Sequence, residues 1–206
     1  MSEDSSIESP SKSPPGGRGI AFARFVSIVG HPFTFVVLLL SLPFWRRGDL
    51  NGLRVAGLVA VIGFVPLGLF MRERYRSGRW QTVDASAPAD RPVAFVAVLA
   101  VLVPFTIYFQ VVEHSAVLVR DCLVLAGMIL VAAMLSRWIK ISGHMAFAAL
   151  SAVIFARVNI VSGMAAGSFL PVLGWSRVAL ARHTYPEVFV GFILGIAAGV
   201  MMLCLS

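Results

Sequence analysis

Long apolar runs separated by short polar segments dominate the chain from residue 21 onward. Seven runs can be drawn, at His31–Trp45, Leu53–Phe70, Pro92–Val112, Ala116–Leu135, Ser142–Arg157, Asn159–Trp175 and Pro186–Leu205. A helix that crosses the hydrocarbon core of a bilayer needs about 20 predominantly apolar residues. The first run is short, and the sixth contains Pro171 and several glycines and is expected to be irregular. The pattern therefore predicts an all-α, polytopic membrane helix bundle of six or seven spans.

The first 20 residues have a different composition from the rest. They are rich in Ser, Pro and Gly and have no apolar face, so residues 1–20 are predicted to be a disordered tail. No basic start leads into an apolar stretch with a small-residue cleavage site, which argues against a signal peptide. Residues 21–206 are predicted to form a single transmembrane helical domain, in which Ala21–Gly30 is a short interfacial helix.

Composition supports the membrane assignment. Hydrophobic residues make up 58% of the 206 residues and charged residues 13%, whereas soluble domains carry about 25% charged residues. The formal net charge is +7. On a membrane protein this excess favours contact with anionic lipid headgroups, so the bilayer is the expected partner and nucleic acid is not.

Two polar clusters beside the apolar runs carry the candidate chemistry. One is Lys140 followed by Ser142-Gly143-His144, and the other is Ser176-Arg177 followed by His183 and Glu187. Polar residues at membrane spans are costly and usually functional. A phosphoryl-transfer site needs one imidazole to attack phosphorus, a second to protonate the leaving oxygen, and fixed donors for the other oxygens. The two clusters supply these groups.

The order of the runs predicts that the polar segments converge. Two runs separate Arg91 from His144, and two more separate His144 from His183. An even number of crossings returns a chain to the same face of the membrane. Arg91 and both clusters are therefore expected to share one site.

The spacing of these residues resembles the type 2 phosphatidic acid phosphatase family, which shares its fold with vanadium haloperoxidases. One family signature is Ser-Arg, five residues, His, three residues, Asp; it is matched by Ser176-Arg177, His183 and Glu187. A second signature, Pro-Ser-Gly-His, is matched at Ser142-Gly143-His144, with Ile141 in place of proline. The resemblance covers about residues 84–200 and implies a phosphatase-like core there.

The first family signature, Lys, six residues, Arg-Pro, is matched only in part. Arg91-Pro92 is present, but Asp84 stands at the lysine position. A carboxylate repels a phosphate, so Asp84 cannot replace the lysine. Asp84 either orients an arginine or binds a substrate hydroxyl. Its presence also leaves open a lower activity, a different substrate, or lipid-phosphate binding without hydrolysis. Lys140 and Arg137 are candidate substitutes for the lysine, and both are also interpretable as interfacial anchors.

The resemblance implies a role for each matched residue. His183 is then the nucleophile that forms a phosphohistidine, and His144 protonates the leaving oxygen. Arg91 and Arg177 bind the phosphoryl oxygens bidentately. Ser142 and the amide of Gly143 donate to another oxygen. No metal or other cofactor is implied.

Glu187 has two interpretations. The resemblance implies that it holds the His183 imidazole in the tautomer that attacks. Thr184-Tyr185-Pro186-Glu187 also reads as a capping box at the start of a helix, which is a purely structural role. His31 and His114 are interpreted as structural.

The sequence thus predicts an integral membrane phosphatase that acts on a lipid phosphate or diphosphate. The alternative is a non-catalytic protein that binds or transports lipid phosphates on the same scaffold. With seven spans, 12 of the 17 Lys and Arg residues fall on the face that carries the site. The positive-inside rule then predicts a site on the cytoplasmic face of a bacterial inner membrane, although Arg46-Arg47 is a competing signal on the other face.

Overall fold

The computed structural model describes residues 17–80, 87 and 89–205. Within these residues the chain forms eight α-helices and no strand. The helices are α1 (Gly17–Val29), α2 (Pro32–Arg47), α3 (Leu50–Arg76), α4 (Arg91–Val111), α5 (Ala116–Leu135), α6 (Gly143–Val158), α7 (Ile160–Ala179) and α8 (Tyr185–Cys204). The predicted all-α class is confirmed for the part of the chain that is described.

Five helical stretches of the described chain are long and apolar enough to cross a membrane. They are α3, α4, α5, α8 and the stretch Gly17–Arg46, which joins α1 and α2. Helix α6 is apolar but has only 16 residues. The protein is therefore a multi-pass helical membrane protein.

Three features of the helices differ from the sequence-based expectation. Helix α1 begins at Gly17, inside the predicted tail. Helix α3 continues six residues past the apolar run to Arg76, because Arg and Glu are good helix formers. The run expected to be irregular forms the continuous helix α7, which accommodates Pro171 in its interior.

Helix α6 is the centre of the bundle. It packs against α2, α7 and α8, and its residues Ala148, Ala149 and Leu150 are at most 1% exposed. Leu173 of α7 is fully buried in one cluster with Ala148 and Ala149. Small side chains on α6 let its neighbours approach closely. In a bilayer the hydrophobic effect does not drive helices together, so they associate largely through such close van der Waals packing. The first residues of α6 are therefore held firmly in place.

The glycines of α8 allow a close contact with α6. Gly191, Gly195 and Gly199 face α6 at intervals of four residues. A Cβ atom at Gly191 would lie 2.6 Å from the carbonyl oxygen of Ser142, and one at Gly195 would collide with the carbonyl oxygen of Ala146. This stripe of glycines therefore serves helix packing. It brings the start of α8 next to the start of α6.

Substitution of Gly195 tests this contact. We expect Gly195→Ala to lower the stability of the protein by about 1–3 kcal/mol, the usual cost of overpacking, because the added methyl meets backbone that cannot rotate away. Gly167→Ala is the matched control, since a Cβ atom there meets nothing within 4 Å and alanine favours a helix. Thermal unfolding in detergent measures both. Equal melting temperatures for the two variants would contradict the contact.

The helix ends that carry the polar clusters meet at one end of the bundle. Ser142 donates its backbone N–H to the carbonyl of Glu187 at 3.2 Å, and Arg91 donates from Nη1 to the carbonyl of Ser136 at 2.8 Å. At the opposite end, Arg120 donates to the carbonyl of Leu205. The predicted convergence of three separate segments is therefore present in the structure.

Candidate active site

A cavity of about 340 Å³ lies among α2, α3, α4, α5 and α6. Its polar end is lined by His31, Arg91, Lys140, His144, Arg177 and His183. Gly143 also lines it. The cavity therefore brings together six of the predicted site residues, which come from three segments of the sequence.

His183 is held by Glu187 across the first turn of α8. Its Nδ1 atom lies 3.2 Å from Oε2 of Glu187, and its side chain is 6% exposed. A carboxylate accepts hydrogen bonds, so Nδ1 carries the proton and the lone pair of the neutral ring is on Nε2. This arrangement prepares one defined nitrogen for attack.

Glu187 makes the contacts that both of its interpretations require. The Oε2 atom that faces His183 also accepts the backbone N–H of Thr184 at 3.0 Å, and the capping box of α8 is complete. Because one oxygen serves both bonds, the cap fixes the carboxylate and the carboxylate fixes the imidazole. The helix start is thus part of the site.

The surroundings of His183 keep its ring neutral. Burial, the guanidinium of Arg177 and the ammonium of Lys140 lower the pKa of His183 from 6.5 to about 4, against an opposing effect of Glu187. Protonation would remove the lone pair on Nε2. A low pKa therefore leaves the imidazole able to act as a nucleophile at neutral pH.

Removal of the Lys140 charge should change the pH dependence of any reaction at His183. Since the ammonium lowers the pKa of His183, Lys140→Met should raise that pKa from about 4. The nucleophile is active when unprotonated, so the acidic fall of kcat/KM should move to higher pH. Arg182→Gln is the control, because it removes a neighbouring charge that does not shift this pKa. If kcat/KM of wild type and of Lys140→Met falls at the same acidic pH, the prediction is wrong.

Arg91 and Arg177 approach the cavity from different helices. Arg91 is the first residue of α4, and Arg177 lies in the last turn of α7 and is 4% exposed. Arg177 donates from Nη1 to the hydroxyl of Ser27 at 2.7 Å. A guanidinium has five N–H donors, so this bond is compatible with contacts to an anion. The two arginines give the polar end a positive potential.

The start of α6 adds backbone donors. Gly143 is the first residue of this helix and His144 the second, and the N–H groups of a first helical turn have no partner within the helix. Such a terminus favours an anion. A Cβ atom at Gly143 would meet nothing within 4 Å, so the glycine is not required by packing here.

Ser142 lies at the junction of the two polar clusters, beside the cavity. It precedes α6 and is fully buried, and it does not belong to the cavity wall. Its backbone N–H is bound to Glu187, and its Oγ atom makes no hydrogen bond within the described part of the chain. Ser142 therefore joins the two polar clusters through its backbone, and the phosphate-binding role of its hydroxyl stays a prediction.

Lys140 lines the cavity and also ties two loops together. Its Nζ atom donates to the carbonyl of Arg182 at 2.6 Å, in the segment that leads to His183. The ammonium is thus close to the predicted nucleophile. Asp84, the residue at the lysine position of the family signature, lies outside the described residues.

His31 belongs to the site, although the sequence suggested a structural role. Its ring lies 5.1 Å from that of His144, edge to face, and it lines the same cavity. Its Nδ1 atom also accepts the N–H of Phe33 at 3.3 Å and caps α2, so the structural role is real as well. The only sequence signal was the His-Pro pair at the start of an apolar run.

Beyond its polar end the cavity is apolar. One face of α4 lines it, with Phe95, Leu102, Phe105 and Phe109 at helical spacing after Arg91. Arg91 and Phe109 are 18 positions apart, which corresponds to about 27 Å along a helix. That is close to the thickness of the hydrocarbon core, about 30 Å. The site therefore suits a ligand with a charged head and a long apolar part.

The described residues contain no group of three or more His, Cys, Asp or Glu side chains placed to hold a metal ion. Comparison of the chain with family models, with curated proteins and with solved structures gives no significant match. The family resemblance consequently rests on the spacing of the three signatures and on their convergence at one cavity.

Proposed function

We propose that the protein is an integral membrane phosphatase that hydrolyses a lipid phosphate or diphosphate through a phosphohistidine at His183. The observation that carries the proposal is the single cavity with His183, His144, Arg91 and Arg177 at one end and an apolar wall along its length. The proposed architecture has seven spans, α2 to α8, with the phosphatase-like core in about residues 84–200.

The geometry supports a two-step reaction. The Nε2 atom of His183 attacks phosphorus and forms an N–P bond while the P–O bond to the lipid breaks. The departing oxygen takes a proton from His144. Water then attacks phosphorus, the N–P bond to His183 breaks, a proton of the water passes to His144, and inorganic phosphate is released. Arg91, Arg177 and the start of α6 neutralise the phosphoryl oxygens in both steps.

A lipid panel tests the proposal. The purified full chain in detergent is incubated with phosphatidic acid, phosphatidylglycerol phosphate, a polyprenyl diphosphate and the water-soluble p-nitrophenyl phosphate, and released phosphate is measured. We expect release from at least one lipid and a higher kcat/KM for long-chain than for short-chain forms. Binding of these lipids without phosphate release would instead support the non-catalytic binding or transport protein.

The same proposal includes an orientation with the site on the cytoplasmic face. Cys204, which is exposed, and Ser77, an exposed residue at the end of α3, mark opposite ends of the bundle. In intact cells we expect an impermeant thiol reagent to modify Cys204. We expect no modification of Ser77→Cys in a Cys204→Ser background. The reverse result would place the site outside.

A further inference from the structure

We propose that Ser27 and His31, in the N-terminal part of the chain, are positioning residues that hold Arg177 and His144 in the site. This inference rests on the proposed function. Both residues lie outside the region of about 84–200 that carries the family resemblance. They stand at the end of α1 and at the junction of α1 with α2.

Ser27 fixes the guanidinium of Arg177. The Oγ atom of Ser27 accepts from Nη1 at 2.7 Å, and the two residues are 150 positions apart. They are 9% and 4% exposed, respectively. A buried hydrogen bond to one arm of a planar guanidinium sets the direction of the other donors. Ser27 thereby determines how Arg177 presents its N–H groups to the cavity.

His31 is itself held in a fixed orientation. Its Nδ1 atom accepts the N–H of Phe33, and its ring lies 4.6 Å from the Phe33 ring, which stacks on Phe64 at 4.3 Å. A nitrogen that accepts a hydrogen bond carries no proton, so the proton of neutral His31 is on Nε2. The tautomer of His31 is therefore defined by the helix cap.

The fixed ring of His31 meets the ring of His144 edge to face. Their planes are 80° apart with centroids at 5.1 Å, and both rings line the cavity. This contact limits the rotation of the His144 imidazole. The proposed acid is thus restrained by a residue from a distant part of the sequence.

The path of α1 allows both contacts. Phe22 lies 6.0 Å from Trp175, Ser27 binds Arg177, and Gly30 approaches Leu173 so closely that a Cβ atom would collide with it. These contacts all fall within residues 173–177, so α1 crosses the end of α7. The crossing places the α1–α2 junction over the polar end of the cavity.

The experiment compares variants that separate positioning from simple structural support. Ser27→Ala removes the hydroxyl and Ser27→Thr keeps it. His31→Asn keeps an acceptor for the helix cap and removes the imidazole. Ser168→Ala is the matched control, because within the described part of the chain that hydroxyl is bound only inside its own helix, to the carbonyl of Ala165. Measured quantities are kcat and KM on a lipid phosphate and on p-nitrophenyl phosphate, the melting temperature, and the Kd for the lipid phosphate.

We expect Ser27→Ala to raise KM and Kd roughly tenfold, with recovery in Ser27→Thr, because Arg177 is misdirected. We expect His31→Asn to lower kcat roughly tenfold on the lipid, much less on p-nitrophenyl phosphate, with an unchanged melting temperature. If the wild type is active and both Ser27→Ala and His31→Asn keep its kcat, KM and Kd, the inference is wrong. A wild type that binds lipid but releases no phosphate would overturn the proposed function, and the Kd of Ser27→Ala would then decide the role of Ser27.

Discussion

Replacement of His183 by alanine should abolish phosphate release and the covalent intermediate. The loss in kcat should be about 10⁴-fold or more, the size seen when a catalytic nucleophile is removed. Nε2 of this ring is free of its proton and able to attack, since Glu187 holds Nδ1 at 3.2 Å and the pKa of about 4 keeps the ring neutral. The measurement is single-turnover release of labelled phosphate from a lipid phosphate, with trapping of the labelled protein.

The control for this change is His114→Asn. His114 is exposed on the α4–α5 connection, at the opposite end of the bundle, and its φ of 48° is a conformation that asparagine tolerates. The His114 variant should match the wild type in rate. His183→Ala should retain its melting temperature while losing activity. Normal turnover in a folded His183→Ala protein would refute the phosphohistidine mechanism.

Helix positions followed closely from the sequence wherever an apolar run ended sharply. Helix α5 occupies Ala116–Leu135, as expected, because Ser115 caps its start and polar residues follow its end. Hydropathy could not mark the end of α3, since the arginines of its last turn favour a helix without being apolar. Hydropathy also suggested that α7 is irregular, because its run contains Pro171 and several glycines. The sequence of one run does not show that Gly163 packs against Ala156 of α6.

Much of the candidate site could also be predicted. The spacing of the polar residues identifies the candidates, and an even number of membrane crossings between them puts them on the same face. The structure brings His144, Arg177 and His183 to one cavity as expected. The sequence could not show that one oxygen of Glu187 serves both the cap and His183. It also could not show that His31 meets His144, because a contact between distant residues depends on how α1 and α2 fold over the bundle.

Replacement of His144 by alanine should slow the reaction by an amount that depends on the leaving group. A lipid alkoxide is a poor leaving group and needs a proton as the P–O bond breaks, so the loss should be about 10²–10⁴-fold, the usual contribution of a general acid. The p-nitrophenolate anion leaves without a proton, so its release should change little. The measurement is the ratio of kcat for the two substrates in wild type and in His144→Ala.

The ratio separates the role of an acid from that of a phosphate ligand. His144 stands at the start of α6 among cationic groups, so a general loss of phosphate binding would lower the rates of both substrates equally. An Arg177→Lys variant gives that reference pattern, because lysine keeps the charge but not the bidentate geometry. If His144→Ala shows equal losses on both substrates, as the Arg177 variant should, His144 is a phosphate ligand and another group protonates the leaving oxygen.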